Sequence, residues 1–334
     1  MIPLSVTDVH PKSWQQQLSE AITRPEDLIH HLQIEKQLTP AMKEACQQFP
    51  VKVTQSYLDQ IKKGDLSDPL LKQILPLDAE MQSQAGFVDD PVGDLQAIQA
   101  PGLIKKYAGR ALLITTPACA IHCRYCFRRH YPYSAQSAHG NHLTQTLKAL
   151  SQDKSIEEVI LSGGDPMVLS DKNLAELITK LSDIKHLTTI RFHTRLPIVL
   201  PDRVTHLLLE TLANTRLKTV MVVHCNHANE ISPAVQRAMH KLAQYCDALL
   251  NQSVLLKGVN DKVTCLSELS KKLFSCGAMP YYLHQLDAVS GAAHFQVDNE
   301  TARQLHHKLM SSLPGYLVPR LVQEIAGQAS KTPL

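Results

Sequence analysis

Ala111-Leu112-Leu113-Ile114-Thr115-Thr116, followed at once by Pro117-Ala118-Cys119-Ala120-Ile121-His122-Cys123-Arg124-Tyr125-Cys126, decides how this 334-residue chain is read. The first six residues are aliphatic or β-branched and read as a buried strand; the proline and small residues after them end it. The three cysteines therefore lie in the loop at the C-terminal end of a strand. The same unit recurs downstream. Short apolar runs at 158–161, 188–193, 219–224, 249–256 and 280–284 alternate with amphipathic stretches near 140–151, 171–183, 202–213, 232–245, 261–275 and 299–312. A period of roughly 30 residues is the length of a βαβ unit. Six strands alternating with helices predict an α/β fold with a parallel sheet, open or curled into a barrel, with its chemistry at the C-terminal strand ends.

Upstream the pattern differs. Residues 1–100 are rich in Gln, Leu, Lys and Glu at helical spacing and predict a helical N-terminal region; 101–315 form the alternating core and 316–334 a C-terminal segment. Hydrophobic residues make up 44% and charged residues 19%, which excludes disorder for most of the chain, and a net charge of +3 is too small a footprint for nucleic acid. Met1 to Asp8 has neither a basic nor a sustained apolar segment, and no apolar run has membrane-spanning length, so a cytoplasmic protein with no membrane partner is expected.

Eight cysteines are too few for a disulfide scaffold, and three of them crowd into one loop. Cys119, Cys123 and Cys126, at CxxxCxxC spacing, suit a [4Fe–4S] cluster with one iron left without a thiolate. The spacing alone equally allows a structural zinc site completed by His122, His130 or a remote cysteine. Arg128 and Arg129 just after it are either solvated charges or a fork for a carboxylate. After the second strand stands Ser162-Gly163-Gly164-Asp165-Pro166, where paired glycines let backbone approach a ligand; alone it is also an ordinary strand-ending turn.

Together, CxxxCxxC and the GGDP turn resemble the radical S-adenosylmethionine (SAM) enzymes. Tyr107 to Thr116, Phe192-His193-Thr194-Arg195, His224-Cys225-Asn226-His227, Asn251 to Asp261 and Tyr282 to Asp287 extend the resemblance, over about 85–331, to the lysine 2,3-aminomutases. Within them it is nearest the short branch that serves (R)-β-lysylation of elongation factor P. The resemblance implies a partial (β/α)6 radical SAM barrel, a [4Fe–4S] cluster on Cys119, Cys123 and Cys126, bound SAM and pyridoxal 5′-phosphate (PLP). It also implies that Ser162, Gly163, Gly164 and Asp165 receive the ammonium of SAM, with His224 nearby. Lys331 would be the catalytic lysine that forms the Schiff base with PLP; Tyr107, Arg110 and Gln252 would hold its phosphate. Only the first glycine of the family's glycine-rich loop, Gly327, stands before Lys331. Arg128 would bind the substrate carboxylate, and Asp287 with Glu324 the side-chain ammonium, Glu324 replacing an aspartate usual in the family.

The implied reaction moves the α-amino group of L-lysine from C2 to C3 after a 5′-deoxyadenosyl radical removes a hydrogen from C3. Implied partners are L-lysine, a reductant protein, and elongation factor P with its lysine ligase; a homo-oligomer is compatible with all of this. The end of the chain three residues past Lys331 favours the short branch, whose relatives lack a C-terminal extension. Two other readings stand beside this one: an aminomutase for another amino acid such as glutamate, which the acidic pair would repel, and a non-catalytic zinc or iron–sulfur module.

Overall fold

The computed structural model describes residues 12–37, 39–134, 136–138 and 141–334. The stretch Met1 to Asp8 lies outside them. Five short helices come first: α1 (Trp14–Ser19), α2 (Pro25–Leu32), α3 (Pro40–Gln48), α4 (Gln55–Leu58) and α5 (Pro69–Lys72). Two short strands, β1 (Ile98–Ala100) and β2 (Leu103–Ile104), lead antiparallel into β3 (Arg110–Thr116).

The alternation follows: α6 (Asn141–Gln152), β4 (Glu158–Gly163), α7 (Asp171–Ser182), β5 (Thr189–Thr194), α8 (Leu196–Val199), α9 (His206–Ala213), β6 (Lys218–His224), α10 (Pro233–Tyr245), β7 (Ala248–Val254), α11 (Val263–Ser275), β8 (Met279–His284) and α12 (Asn299–Ser312). Helix starts follow from sequence. Ser170, Thr205, Ser232 and Asp298 each accept a backbone N–H of the first turn at α7, α9, α10 and α12. The stretch 202–213 enters its helix only at His206, because Pro201–Arg203 close a 3-10 turn ahead of the Thr205 cap.

The sheet has one strand more in its parallel run than the six expected. β9 (Arg320–Gln323) pairs parallel with β8, and β10 (Thr332–Pro333) folds back antiparallel on β9, so the C-terminal segment is part of the sheet. Four residues with little alternation carry almost no strand signal by themselves. Parallel pairing runs unbroken from β3 to β9 in chain order.

Side chains alternate in and out along each strand. Arg110 and Leu112, Ile160 and Ser162, Arg191 and His193, Gln252 and Val254, Tyr282 and His284 face one interior cavity. Their neighbours Leu113, Leu161, Ile190, Phe192, Val223 and Leu249 pack outward in the main hydrophobic core. That core also contains Trp14, Leu28, Leu58 and Leu70, so the helical N-terminal region shares the sheet's core rather than building one of its own.

Candidate active site

The cavity measures about 690 Å³. The residues that the resemblance assigns to the cluster, SAM, PLP and substrate all line it: Cys119, Cys123, Cys126, Tyr107, Arg110, Arg128, Ser162, Gly163, Gly164, Asp165, His224, Gln252, Asp287, Glu324 and Lys331; His130, one of the alternative zinc ligands, does not.

The cysteine loop is braced by the N-terminal region. His122 and Arg124 donate their backbone N–H groups to the carbonyls of Lys52 and Gln73 at 2.9 Å each. The Arg124 side chain, 0% exposed, points away from the cavity and donates to Glu80 through Nε (2.8 Å) and Nη2 (2.5 Å) and to the Phe49 carbonyl through Nη1 (2.6 Å). Arg129 joins the same carboxylate at 2.7 Å, whereas Arg128 turns to Asp94 and Ser162; both line the cavity. His122 stacks on Phe49 and bonds the Pro50 carbonyl, and His227 caps a 3-10 turn. Burial pushes the Cys119 thiol well up and that of Cys126 to about 11; neighbouring cysteines add to both shifts. Three soft thiol donors on one wall match the donor set of a four-iron cluster in which three irons take one thiolate each and the fourth takes none. Among the described residues no three His, Cys, Asp or Glu side chains are grouped to hold a single metal ion.

The GGDP turn lies against that loop. A Cβ at Gly164 would come 2.3 Å from the Ala118 carbonyl oxygen, and Gly163 has φ +121°, so both positions require glycine. Both Asp165 oxygens are engaged by the protein: Oδ1 accepts from Thr194 Oγ1 (2.7 Å) and the Met167 N–H (3.0 Å), and Oδ2 from the N–H groups of Arg195 (2.7 Å) and Leu196 (3.1 Å). Burial pushes its pKa to about 6 against these four donors. Asp165 thus ties the turn to the loop after β5. His224 is held against Tyr125, Nε2 to Oη 3.2 Å, and burial with Arg195 nearby lowers it to about 3, so it is neutral.

Across the cavity, an alternating chain of charges joins the first strands to the last. Arg128 Nε donates to Asp94 Oδ2 (2.7 Å), Lys106 Nζ sits 2.6 Å from Asp94 Oδ1 and 3.0 Å from Glu324 Oε1, and Lys331 Nζ lies 2.5 Å from Glu324 Oε2. Burial raises Glu324, but Lys331 and Lys106 outweigh it and hold the carboxyl at about 2. Asp287 has no such partner. Its Oδ1 is buried without a hydrogen bond, and burial together with the Glu324 charge lifts it to about 7. Arg110 places its guanidinium carbon 5.1 Å from the Tyr107 ring centroid and leaves Nε buried and unpartnered; His193 Nε2 is likewise unpartnered.

Buried polar atoms without partners around a roomy cavity fit a polar ligand. Arg110, Tyr107, Gln252 and Lys331 could hold a phosphorylated aldehyde, and the cysteines with Ser162, Gly163 and Gly164 a cluster and its amino-acid ligand. Sequence reasoning missed Asp94 and Lys106, which carry no motif; the Lys105-Lys106 pair just before Tyr107 was the available signal. It also gave no role to Arg195 and Glu230, although both lie in or beside quoted motifs.

A family model described as the radical SAM superfamily matches residues 113–262. The L-lysine 2,3-aminomutase of Escherichia coli (strain K12) is 43% identical over 324 residues, covering 97% of this chain and 94% of the relative. That of Haemophilus influenzae is 44% identical over 321 residues, 96% of this chain and 95% of the relative. The Clostridium subterminale L-lysine 2,3-aminomutase is 32% identical over 330 residues, 98% of this chain and 79% of the relative.

Proposed function

The chain belongs to the L-lysine 2,3-aminomutase family of radical SAM proteins, and from that premise we propose that it interconverts L-α-lysine and β-lysine. The C2–N bond breaks, a C3–N bond forms, and a hydrogen passes from C3 to C2, so the reaction is an isomerisation with no net oxidation. The observation that carries the reading is the meeting of Arg128, the acidic pair Asp287 and Glu324, Lys331 and the three cysteines in one cavity.

Bound among these residues, the [4Fe–4S] cluster with SAM supplies abstraction and return of a hydrogen atom, and PLP supplies the carbonyl that holds the migrating nitrogen. The chain itself binds, orients and excludes. Arg128 is steered by Asp94 at Nε and by Ser162 at Nη1 (3.1 Å), which leaves Nη2 for a substrate carboxylate. At the other end, Asp287 and Glu324 select a cationic side chain and repel an anionic one, which favours lysine over glutamate. An ammonium beside Asp287 also favours its ionised form and gives the unpartnered Oδ1 a donor. Lys331, held by Glu324, stands ready for the cofactor carbonyl. The walls of the cavity keep water and stray hydrogen donors from the reacting carbons.

The finer reading is that the product is (R)-β-lysine, made in the cytoplasm for a ligase that attaches it to elongation factor P, with a reductant protein supplying the electron. Its support is the motif resemblance to the short branch. Among the described residues no helix is long and apolar enough to cross a membrane.

The reading is tested by anaerobic incubation of the reconstituted protein with L-lysine or L-glutamate, followed by chiral chromatography. β-Lysine and no β-glutamate is the expected result; β-glutamate alone would contradict the assignment of Asp287 and Glu324.

A further inference from the structure

Arg195, just beyond β5, is 7% exposed, and side chains engage both of its Nη atoms. Its Nη1 lies 2.7 Å from Cys123 Sγ and 2.7 Å from Tyr125 Oη. Its Nη2 donates to Glu230 Oε2 at 2.8 Å and Gln73 Oε1 at 2.7 Å, and its backbone N–H is the one that reaches Asp165. One residue thus touches both the cysteine loop and the glycine turn, and three separate anchors fix the direction of its guanidinium.

We propose that Arg195 is a positioning residue for the cluster, donating a fixed N–H to the sulfur of Cys123 and thereby setting how readily the cluster is reduced. The inference rests on the radical SAM reading of the three cysteines. Reduction adds one electron, and so one negative charge, to the cluster and its thiolates. A hydrogen-bond donor on a ligating sulfur stabilises the more negative form and raises the midpoint potential. In a buried site the effect is larger than in water. Glu230 works in the opposite sense: its carboxylate offsets the guanidinium charge, and a glutamine there would keep an acceptor for Arg195 without that charge.

The test is an anaerobic reductive titration of the reconstituted wild type, Arg195→Lys, Arg195→Gln and Glu230→Gln, with dithionite as electron source and electron paramagnetic resonance as readout. Each protein is first assayed for iron, with about four per chain expected of a complete cluster. Arg195→Lys keeps a cation for Glu230 but cannot hold all of these contacts at once, so its midpoint should move to more negative potential, and that of Arg195→Gln further still. Glu230→Gln should move it to less negative potential. Opposite shifts are not expected of residues that only support the fold. A fully assembled Arg195→Lys variant with the wild-type midpoint overturns the proposal, and this variant decides the matter where Arg195→Gln does not fold. A wild type that assembles no cluster at all overturns the radical SAM reading on which the proposal stands.

Discussion

Lys331 Nζ lies 2.5 Å from Glu324 Oε2, while the other oxygen of that carboxylate, Oε1, lies 3.0 Å from Lys106 Nζ. The carboxylate assigned to the substrate ammonium is therefore already a reader of lysine ammonium groups, and it holds the lysine assigned to the cofactor. The two proposed functions meet at one side chain.

Replacing Glu324 by Gln removes charge and keeps shape. A charge-assisted hydrogen bond contributes about 1.5–3 kcal/mol, so KM for L-lysine should rise by roughly one to two orders of magnitude. Steady-state kinetics check this. Borohydride reduction in the presence of PLP should label Lys331 in the wild type and leave Lys331→Ala unlabelled, as read by peptide mass.

Asp287 should govern the pH dependence. Burial and the Glu324 charge raise its carboxyl from an ordinary 3.8 to about 7, so it is protonated in the free protein below that pH. A protonated acid attracts an ammonium poorly, so kcat/KM should climb about tenfold per pH unit up to pH 7 and then level off. Asp287→Asn should flatten that limb. For stability the sign is opposite: the folded state binds the proton more tightly, so the contribution of Asp287 to stability falls as pH rises from about 4 to 7. Thermal melts without ligands should show Asp287→Asn gaining on the wild type across that window.

Gly164→Ala places a Cβ 2.3 Å from the Ala118 carbonyl oxygen, one residue before Cys119. Backbone must move, at about 1–3 kcal/mol. The expected outcome is a folded protein with iron bound but SAM affinity lowered at least tenfold, measured by equilibrium dialysis.

How much of this was legible in sequence depends on the range of the interaction. The aliphatic runs act within a few residues, and the six strands they mark stand close to where they put them, while the helix read from 202 begins only at His206, where the Thr205 cap sets its start. The cysteines and the GGDP turn were readable because spacing itself is the chemistry. Lys106 and Glu324 are 218 positions apart, and Arg124 and Glu80 are 44 apart; nothing local marks either pair. β9 escaped because Arg320–Gln323 is a strand only beside β8.

The Glu80 cluster shows what the N-terminal region does. Glu80 pairs with both Arg124 and Arg129, and breaking a buried pair by removing one charge costs about 3–5 kcal/mol. Glu80→Gln should lower the denaturation midpoint accordingly and weaken iron retention, since Arg124 lies between two of the cysteines. Chemical denaturation and iron analysis on the same sample check both.

In the proposed isomerisation nitrogen moves from C2 to C3 of lysine. L-Lysine carrying nitrogen-15 at its α-amino group, incubated anaerobically with the reconstituted protein, SAM, PLP and a reductant, should yield β-lysine with the label bound to C3. No β-lysine should form when SAM or PLP is left out. Unchanged L-lysine from a protein with an intact cluster and bound PLP would rule the reaction out.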